Sequence, residues 1–462
     1  MKKAILLAVG LIICSAPLLA SSFLTNDTAA DVHDPLNAES HVPVVIIPGI
    51  LGSMLVDATD GRDRLLWPGS AILGGDIDSL RLPPSGKGNL GLDVRPTGLF
   101  GFAEPIAALE AFSKSTLAKL TPAWLRKWIP EMVRPLSYYG GLTASFQAAG
   151  YIPDVDLFTF PYDWRRDLLE TSNLLAARIE GILAQTGAAA VDVVAHSMGG
   201  LLARAYVNAT DNPPIRRLIM MGTPSHGSPD AFVALHSDLG QGRLLLNDKN
   251  AQALSANWPS MFQLLPTPEY FGIYGHIFDD RFGETHEGTL TGASGEAAWR
   301  RTFLENPDSS LAHVNERLLT TAAAYSARAF HERIGSTLEF AGELFIVAGS
   351  GAKTVGVIVK ADSAEDTWEG VPTNGDGTVP LLSATRLTSP GPISIYHTTA
   401  SHEGMLSDDA VGDLLPALLS GDVSAVSAVL DRSSDLRQEL SLSDGREDEA
   451  FPLSPSGAMW FR

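Results

Sequence analysis

The chain alternates short, nearly unbroken apolar runs with stretches whose apolar positions recur every three or four residues. Val42-Pro-Val-Val-Ile-Ile47 is apolar and β-branched and stops at Pro48-Gly49, the pattern of a buried strand ending in a tight turn. Runs of the same kind fall at Val155 to Phe160, Val191 to Ala195, Arg217 to Met221, Leu344 to Ala348 and Ile393 to Tyr396. Helical spacing predicts helices over Leu142 to Gln147, Leu168 to Ala184 and Gly199 to Asn208, and a helix-like stretch over Asp409 to Leu419. A strand covered on both sides has no solvated face to alternate towards. Runs of this kind between helices therefore predict an α/β fold with a mostly parallel sheet and helices on both faces.

Two long stretches break the alternation. Residues 56–137 hold a Gly- and Pro-rich part, Pro83 to Gly101, and then an apolar helical part, Glu104 to Pro135. Residues 230–340 are mostly helical in pattern, with loops near Pro266 to Pro268 and Gly283 to Gly295. Insertions of this size in an α/β sheet sit over the C-terminal ends of the strands, where ligands bind. The first is expected to be a lid and the second a cap, leaving 42–55, 138–229 and 341–425 as the core. Residues 431–462, rich in Ser, Asp, Glu and Pro, are expected to form a mobile tail.

The amino terminus changes the picture of where the chain works. Lys2 and Lys3, the apolar run Ala4 to Ile13 and the small residues around Ala20 to Ser22 have the form of a secretory signal peptide over residues 1–22. Pro17 interrupts the run, which is short for a membrane span, and Ile13 stands where a lipidated Cys14 would need a small neighbour. Polar residues 23–41 are expected to form a flexible lead-in. Cleavage would remove Cys14, the only cysteine, and an exported chain without disulfides suits a bacterial periplasm or the surrounding medium. With 33 Lys and Arg against 53 Asp and Glu, a net charge of −20, the surface repels phosphate backbones, and nucleic acid is excluded as a partner.

The chemistry is concentrated at Val191-Asp-Val-Val-Ala-His-Ser-Met-Gly-Gly200, where an apolar strand runs into Ser197 and a helix leaves at once. That is a nucleophile elbow in its required strand–turn–helix context, and it narrows the fold to the α/β-hydrolase type. Ser197 must stand on a strained turn, and Ala195 and Gly199 supply the small neighbours that let strand and helix approach. Such a serine needs a base and a carboxylate, in the chain order serine, acid, histidine. Asp376, in Asn374-Gly-Asp-Gly-Thr-Val-Pro380, is the candidate acid. His402, on the loop after the last apolar strand, is the candidate base; His397, at the end of that strand, is its competitor. His196 is taken as packing. For the oxyanion hole the candidates are the N–H groups of Met198 and of Ile50 in Pro48-Gly-Ile-Leu-Gly-Ser53, with Leu51 second.

The sequence resembles the lecithin:cholesterol acyltransferase-like lipases, a family that includes lysosomal phospholipase A2 and phospholipid:diacylglycerol acyltransferase. The resemblance is carried by PGILGS at Pro48 to Ser53, LWPG at Leu66 to Gly69, FPYDWRR at Phe160 to Arg166, AHSMGG at Ala195 to Gly200 and GTP at Gly222 to Pro224. WPSMFQLLP at Trp258 to Pro266, GDGTVP at Gly375 to Pro380 and SHEGML at Ser401 to Leu406 complete it. The resemblance implies a bacterial-type exported lipase, phospholipase or O-acyltransferase acting on a lipid or lipid-like ester through an acyl-enzyme, without a cofactor. It further implies that Asp163 and Trp164 sit beside the acyl pocket, with Leu51 among the substrate-binding residues, and that Trp67 belongs to a lid. An Asp–Arg pair in Tyr162 to Arg165 can equally brace the site. The mammalian members pin their lid with a disulfide that this chain cannot form.

Two other readings stand beside this one: an esterase for small soluble esters or amides, and an inactive binding protein on a hydrolase scaffold. An interfacial enzyme needs exposed apolar surface and a soluble esterase does not. Leu109, Phe112, Leu117, Leu120, Trp124, Leu125, Trp128 and Ile129 recur at mostly helical spacing. They are expected either to pack as core under the cap or to settle the lid at a lipid–water interface. No metal is expected, because Asp362, Glu365, Asp366 and Glu369 lack the regular spacing of a ligand loop.

Overall fold

The computed structural model describes residues 41–68, 77–100, 138–235, 254–255, 257–267, 269–270, 327–360 and 368–438. The strands begin with β1 (Val44–Ile47), β2 (Ser53–Asp57), β3 (Arg64–Trp67), β4 (Val94–Leu99), β5 (Leu157–Thr159) and β6 (Val191–His196). They continue with β7 (Ile215–Met221), β8 (Glu343–Gly349), β9 (Ala352–Lys360), β10 (Trp368–Gly375), β11 (Ile393–Thr398) and β12 (Leu436–Gln438). The longer helices are α1 (Tyr138–Ala148), α2 (Leu168–Thr186), α3 (Met198–Ala209), α4 (Asp409–Ser420) and α5 (Val423–Arg432).

A seven-stranded sheet runs β12-β11-β8-β7-β6-β1-β5, parallel at every pairing except β11 with β12. Its apolar runs divide between two cores because successive side chains of a strand point to opposite faces. Val45 and Ile47 of β1 and Leu218 and Met220 of β7 join one core; Val44, Ile46, Ile219 and Met221 join the other. The first is covered by α2 and α3 through Leu175, Ile179, Leu201 and Leu202, the second by α1 and α4 through Leu142, Phe146, Leu414 and Leu418. This is the α/β-hydrolase architecture.

The strand order reverses at β1, with β5 on one side and β6 on the other. Loops leaving the carboxyl ends of two such strands diverge and open a crevice, the usual ligand site of an open α/β sheet. Residues 48–53 leave β1 at that point and Ser197 leaves β6 beside them.

The structure departs from the sequence reading in four places. Strand β5 is shorter than the run Val155 to Phe160, because the chain turns over residues 152–156, with the Val155 N–H donating to Ile152 O, which leaves Val155 exposed. Part of the expected lid forms an antiparallel sheet, β3-β2-β4, that its Gly- and Pro-rich sequence did not suggest. A hairpin, β9 with β10, precedes Asp376. The expected tail begins too early: α5 runs to Arg432, and β12 pairs with β11 and buries Leu436. Residues 1–40 and 439–462, the stripe with Trp124 and Trp128, most of the expected cap, and Asp362, Glu365 and Asp366 lie outside the described residues, while Glu369 falls in β10.

Candidate active site

Ser197 sits between β6 and α3 at φ 55° and ψ −127°, a left-handed conformation that costs a non-glycine residue on the order of 1–3 kcal/mol. The surroundings hold it there. Its N–H donates to Met221 O at 2.8 Å, and its carbonyl accepts from Gly200 N at 3.0 Å. A Cβ on Gly199 would lie 2.6 Å from both Ile47 O and Pro48 O, so only glycine lets α3 approach the end of β1. A Cβ on Gly49 would lie 2.8 Å from Ser197 Cβ, so the loop after β1 also needs glycine to pass the hydroxyl.

His402 Nε2 lies 2.9 Å from Ser197 Oγ, and His402 Nδ1 lies 2.7 Å from Asp376 Oδ2. A carboxylate only accepts, so Nδ1 carries the proton; in the neutral ring Nε2 then accepts from the Ser197 hydroxyl. Asp376 is aimed by its own loop, since Oδ1 accepts from Thr378 N at 2.9 Å and Val379 N at 2.6 Å. The His402 N–H donates to Asp376 O at 2.9 Å, so Asp376 and His402 are joined through backbone as well as side chain. All three residues are buried. Burial alone would lower the His402 pKa, but attraction and hydrogen bonding by Asp376 outweigh it and push the imidazole up to about 9. His397 lies within β11, and it is His402 that reaches Ser197.

The N–H groups of Ile50, Leu51 and Met198 make no hydrogen bond among the described residues, and that of Met198 opens α3, where a helix leaves its first donors free. The Gly49 N–H, by contrast, is occupied: it donates to Tyr139 Oη at 2.7 Å. Leu51 adopts φ 61°, and its carbonyl accepts from Trp67 Nε1 at 2.8 Å.

The other expected binding residues lie behind this loop. Trp164 is fully buried and donates from Nε1 to Ser53 O at 3.1 Å; Tyr162 Oη donates to Pro48 O at 3.0 Å. Trp67, Trp164 and Trp258 stack edge to face, with centroids 5.7 and 5.0 Å apart. Asp163 accepts a two-pronged bond from Arg165, through Nε at 2.8 Å and Nη2 at 2.7 Å, and a third from Arg166 Nε at 3.1 Å. Burial opposes the Asp163 charge, but the Arg165 guanidinium prevails and holds its pKa low. Arg165 in turn donates to Leu80 O and Asn89 Oδ1, and Arg166 to Gly86 O. The Tyr162 to Arg166 segment thus clamps residues 48–53 from one side and residues 80–89 from the other. Sequence reasoning missed Tyr139 and gave His196 only a packing role, although His196 makes two hydrogen bonds, to Tyr139 Oη and His402 O.

Comparison with known proteins follows the same lines. A model of the lecithin:cholesterol acyltransferase family matches residues 87–313, a span that holds Ser197 and ends before Asp376 and His402. Lecithin-cholesterol acyltransferase-like 4 of Arabidopsis thaliana is 26% identical over 238 residues, 48% of this chain and 41% of that protein. Lysosomal phospholipase A and acyltransferase of Homo sapiens is 26% identical over 273 residues, 51% of this chain and 61% of that protein. The chain is thus similar to the lecithin:cholesterol acyltransferase family over about half of its length. The chain covers less than two thirds of the length of either relative. Among solved structures, a chain of the Tle4–Tli4 complex overlaps 84% of it and 99% of that chain, at 16% identity and a TM-score of 0.48.

Proposed function

We propose that this chain is a serine-dependent acyl-ester hydrolase and O-acyltransferase acting on lipids. The observation that carries the reading is the unbroken buried line from Asp376 through His402 to Ser197, at the switch point of the sheet and beside backbone N–H groups that make no hydrogen bond among the described residues. In this mechanism Ser197 Oγ attacks the ester carbonyl while its proton passes to His402 Nε2. Asp376 stabilises the imidazolium so formed. The oxyanion is taken up by the N–H groups of Met198 and Ile50, with Leu51 as the alternative to Ile50. His402 then gives the proton to the leaving alcohol, and water or an acceptor hydroxyl releases the acyl group from Ser197.

The lipid assignment rests on the similarity to the lecithin:cholesterol acyltransferase family and on the human relative, a phospholipase and acyltransferase by its name. Trp67, Asp163 and Trp164 are proposed to act by holding the oxyanion loop, and Leu51, partly buried on that loop, to line the acyl path. The form of residues 1–22 supports an exported protein, periplasmic or secreted, and among the described residues no helix is long and apolar enough to cross a membrane.

Product analysis tests this. Phospholipid vesicles incubated with the protein should release fatty acid and lysophospholipid, and an added long-chain alcohol should divert acyl groups into its ester. Turnover of a short soluble ester with none of the phospholipid would favour the soluble-esterase reading.

A further inference from the structure

We propose that Tyr139 and His196 form a positioning relay, a single chain of hydrogen bonds that sets the oxyanion loop and the base loop against each other. It rests on the roles assigned above to Ser197 and His402. The Gly49 N–H donates to Tyr139 Oη at 2.7 Å, Tyr139 Oη lies 2.9 Å from His196 Nδ1, and His196 Nε2 lies 3.0 Å from His402 O.

The direction of every bond in this chain follows from its ends. A carbonyl only accepts, so His196 Nε2 carries the proton and donates to His402 O. In a neutral imidazole Nδ1 is then an acceptor, and the Tyr139 hydroxyl donates to it. The lone pairs of Tyr139 Oη are left to accept the Gly49 N–H. No other assignment satisfies all three contacts while the ring is neutral. Burial first, and then the neighbouring His402, hold the His196 pKa well below 6.5, and burial pushes the Tyr139 phenol far up, so neither group titrates in the working range.

Both ends of the relay meet the proposed chemistry. Gly49 precedes Ile50, a proposed oxyanion donor, and passes so close to Ser197 that no side chain fits between them. The other end holds the backbone of the base: the His402 carbonyl is fixed by His196 and its N–H by Asp376 O. The rings of His196 and His402 lie 4.8 Å apart, yet His196 touches neither reacting proton. Tyr139 and His196 are therefore positioning residues, acting on the reaction through Gly49 and His402. The relay also gives a physical reason for histidine beside the serine, since packing alone would be met by an apolar ring.

The test uses the full chain with Tyr139→Phe, His196→Gln and the double variant, and a short soluble ester. Active sites are counted by phosphonate titration, so that misfolded protein drops out. Tyr139→Phe keeps the buried ring and removes only the hydroxyl. It is expected to lower kcat per active site about 10- to 100-fold, less than the roughly 10²- to 10³-fold loss of an oxyanion donor itself, with KM within about twofold. Affinity for an alkyl boronic acid, which mimics the tetrahedral intermediate on the serine, should fall by the same factor as kcat. His196→Gln retains an N–H near the Nε2 position but lacks the Nδ1 acceptor. Because the relay acts as one unit, the double variant should be no worse than the poorer single variant. A structural role alone would lower Tm and the number of active sites while leaving kcat per site and boronate affinity unchanged, and that result would overturn the proposal. So would losses that multiply in the double variant. If Ser197→Ala is inactive and Tyr139→Phe is unchanged per site, only the relay fails; if Ser197→Ala stays active, the serine mechanism fails with it.

Discussion

At the scale of single residues, the site depends on a carboxylate that fixes which nitrogen of an imidazole holds its proton. Asp376 also raises the His402 pKa, and His402, the proposed base, works only when neutral, so activity should rise with pH through that raised value. The acid limb of kcat/KM is expected above 6.5, the ordinary imidazole value. Asp376→Asn removes the raising charge and should move the limb down, while the plateau falls by about 10²- to 10⁴-fold because the tautomer is no longer fixed. A pH–rate profile of both proteins checks the two effects, and an unmoved limb would contradict the electrostatic argument. Ser197, Gly199, Asp376 and His402 could be read in the sequence because each carries a local sign: an elbow, a Gly-rich turn, a histidine after the last strand. Tyr139 carried none. Its partners Gly49 and His196 lie 90 and 57 residues away, and no local pattern marks a hydrogen bond across such separations.

Among the elements, those with a marked apolar pattern, β1, β6, β7, β8, β11 and helices α2 to α4, were predicted to within two residues of their ends, whereas α1 begins four residues before its predicted start and the weakly patterned strands were not predicted. Helix α2 shows why. Its apolar stripe includes Leu168, Leu175, Ile179 and Ile182, Asp167 caps its first turn by accepting from Leu169 N and Glu170 N, and Gly187 ends it at φ 71°. Asp167→Ala should destabilise the fold by about 1 kcal/mol, measured by urea unfolding, with activity at moderate temperature preserved, because the cap lies outside the site. Strands β2 to β4 and β12 were missed for the opposite reason. In β4, Pro96 and Gly98 interrupt an edge strand whose positions alternate only weakly between half-buried and exposed, and β12 is just three residues long. Such strands exist through their partners. Ser53, at the start of β2, shows what is gained, since its carbonyl anchors Trp164 and its hydroxyl accepts from Tyr162 N.

Across the whole molecule, the sheet places two loops at one switch point, and residues far apart in sequence converge there. Residues 48–53 follow β1, Ser197 follows β6, and Asp376 and His402 come from beyond β8 and β11. Tyr162, Trp164 and Trp67 hold the first of these loops from behind, through bonds to Pro48 O, Ser53 O and Leu51 O. The central claim is that this convergence makes Ser197 a nucleophile activated by His402. The most direct measurement is intact-mass and peptide analysis after incubation with an alkyl fluorophosphonate, which reacts with an activated serine and loses fluoride. The account predicts one adduct per chain, on the peptide holding Ser197, absent in Ser197→Ala and formed at least about 10²-fold more slowly in His402→Ala. An adduct on another residue, or equal labelling of wild type and Ser197→Ala, would contradict it.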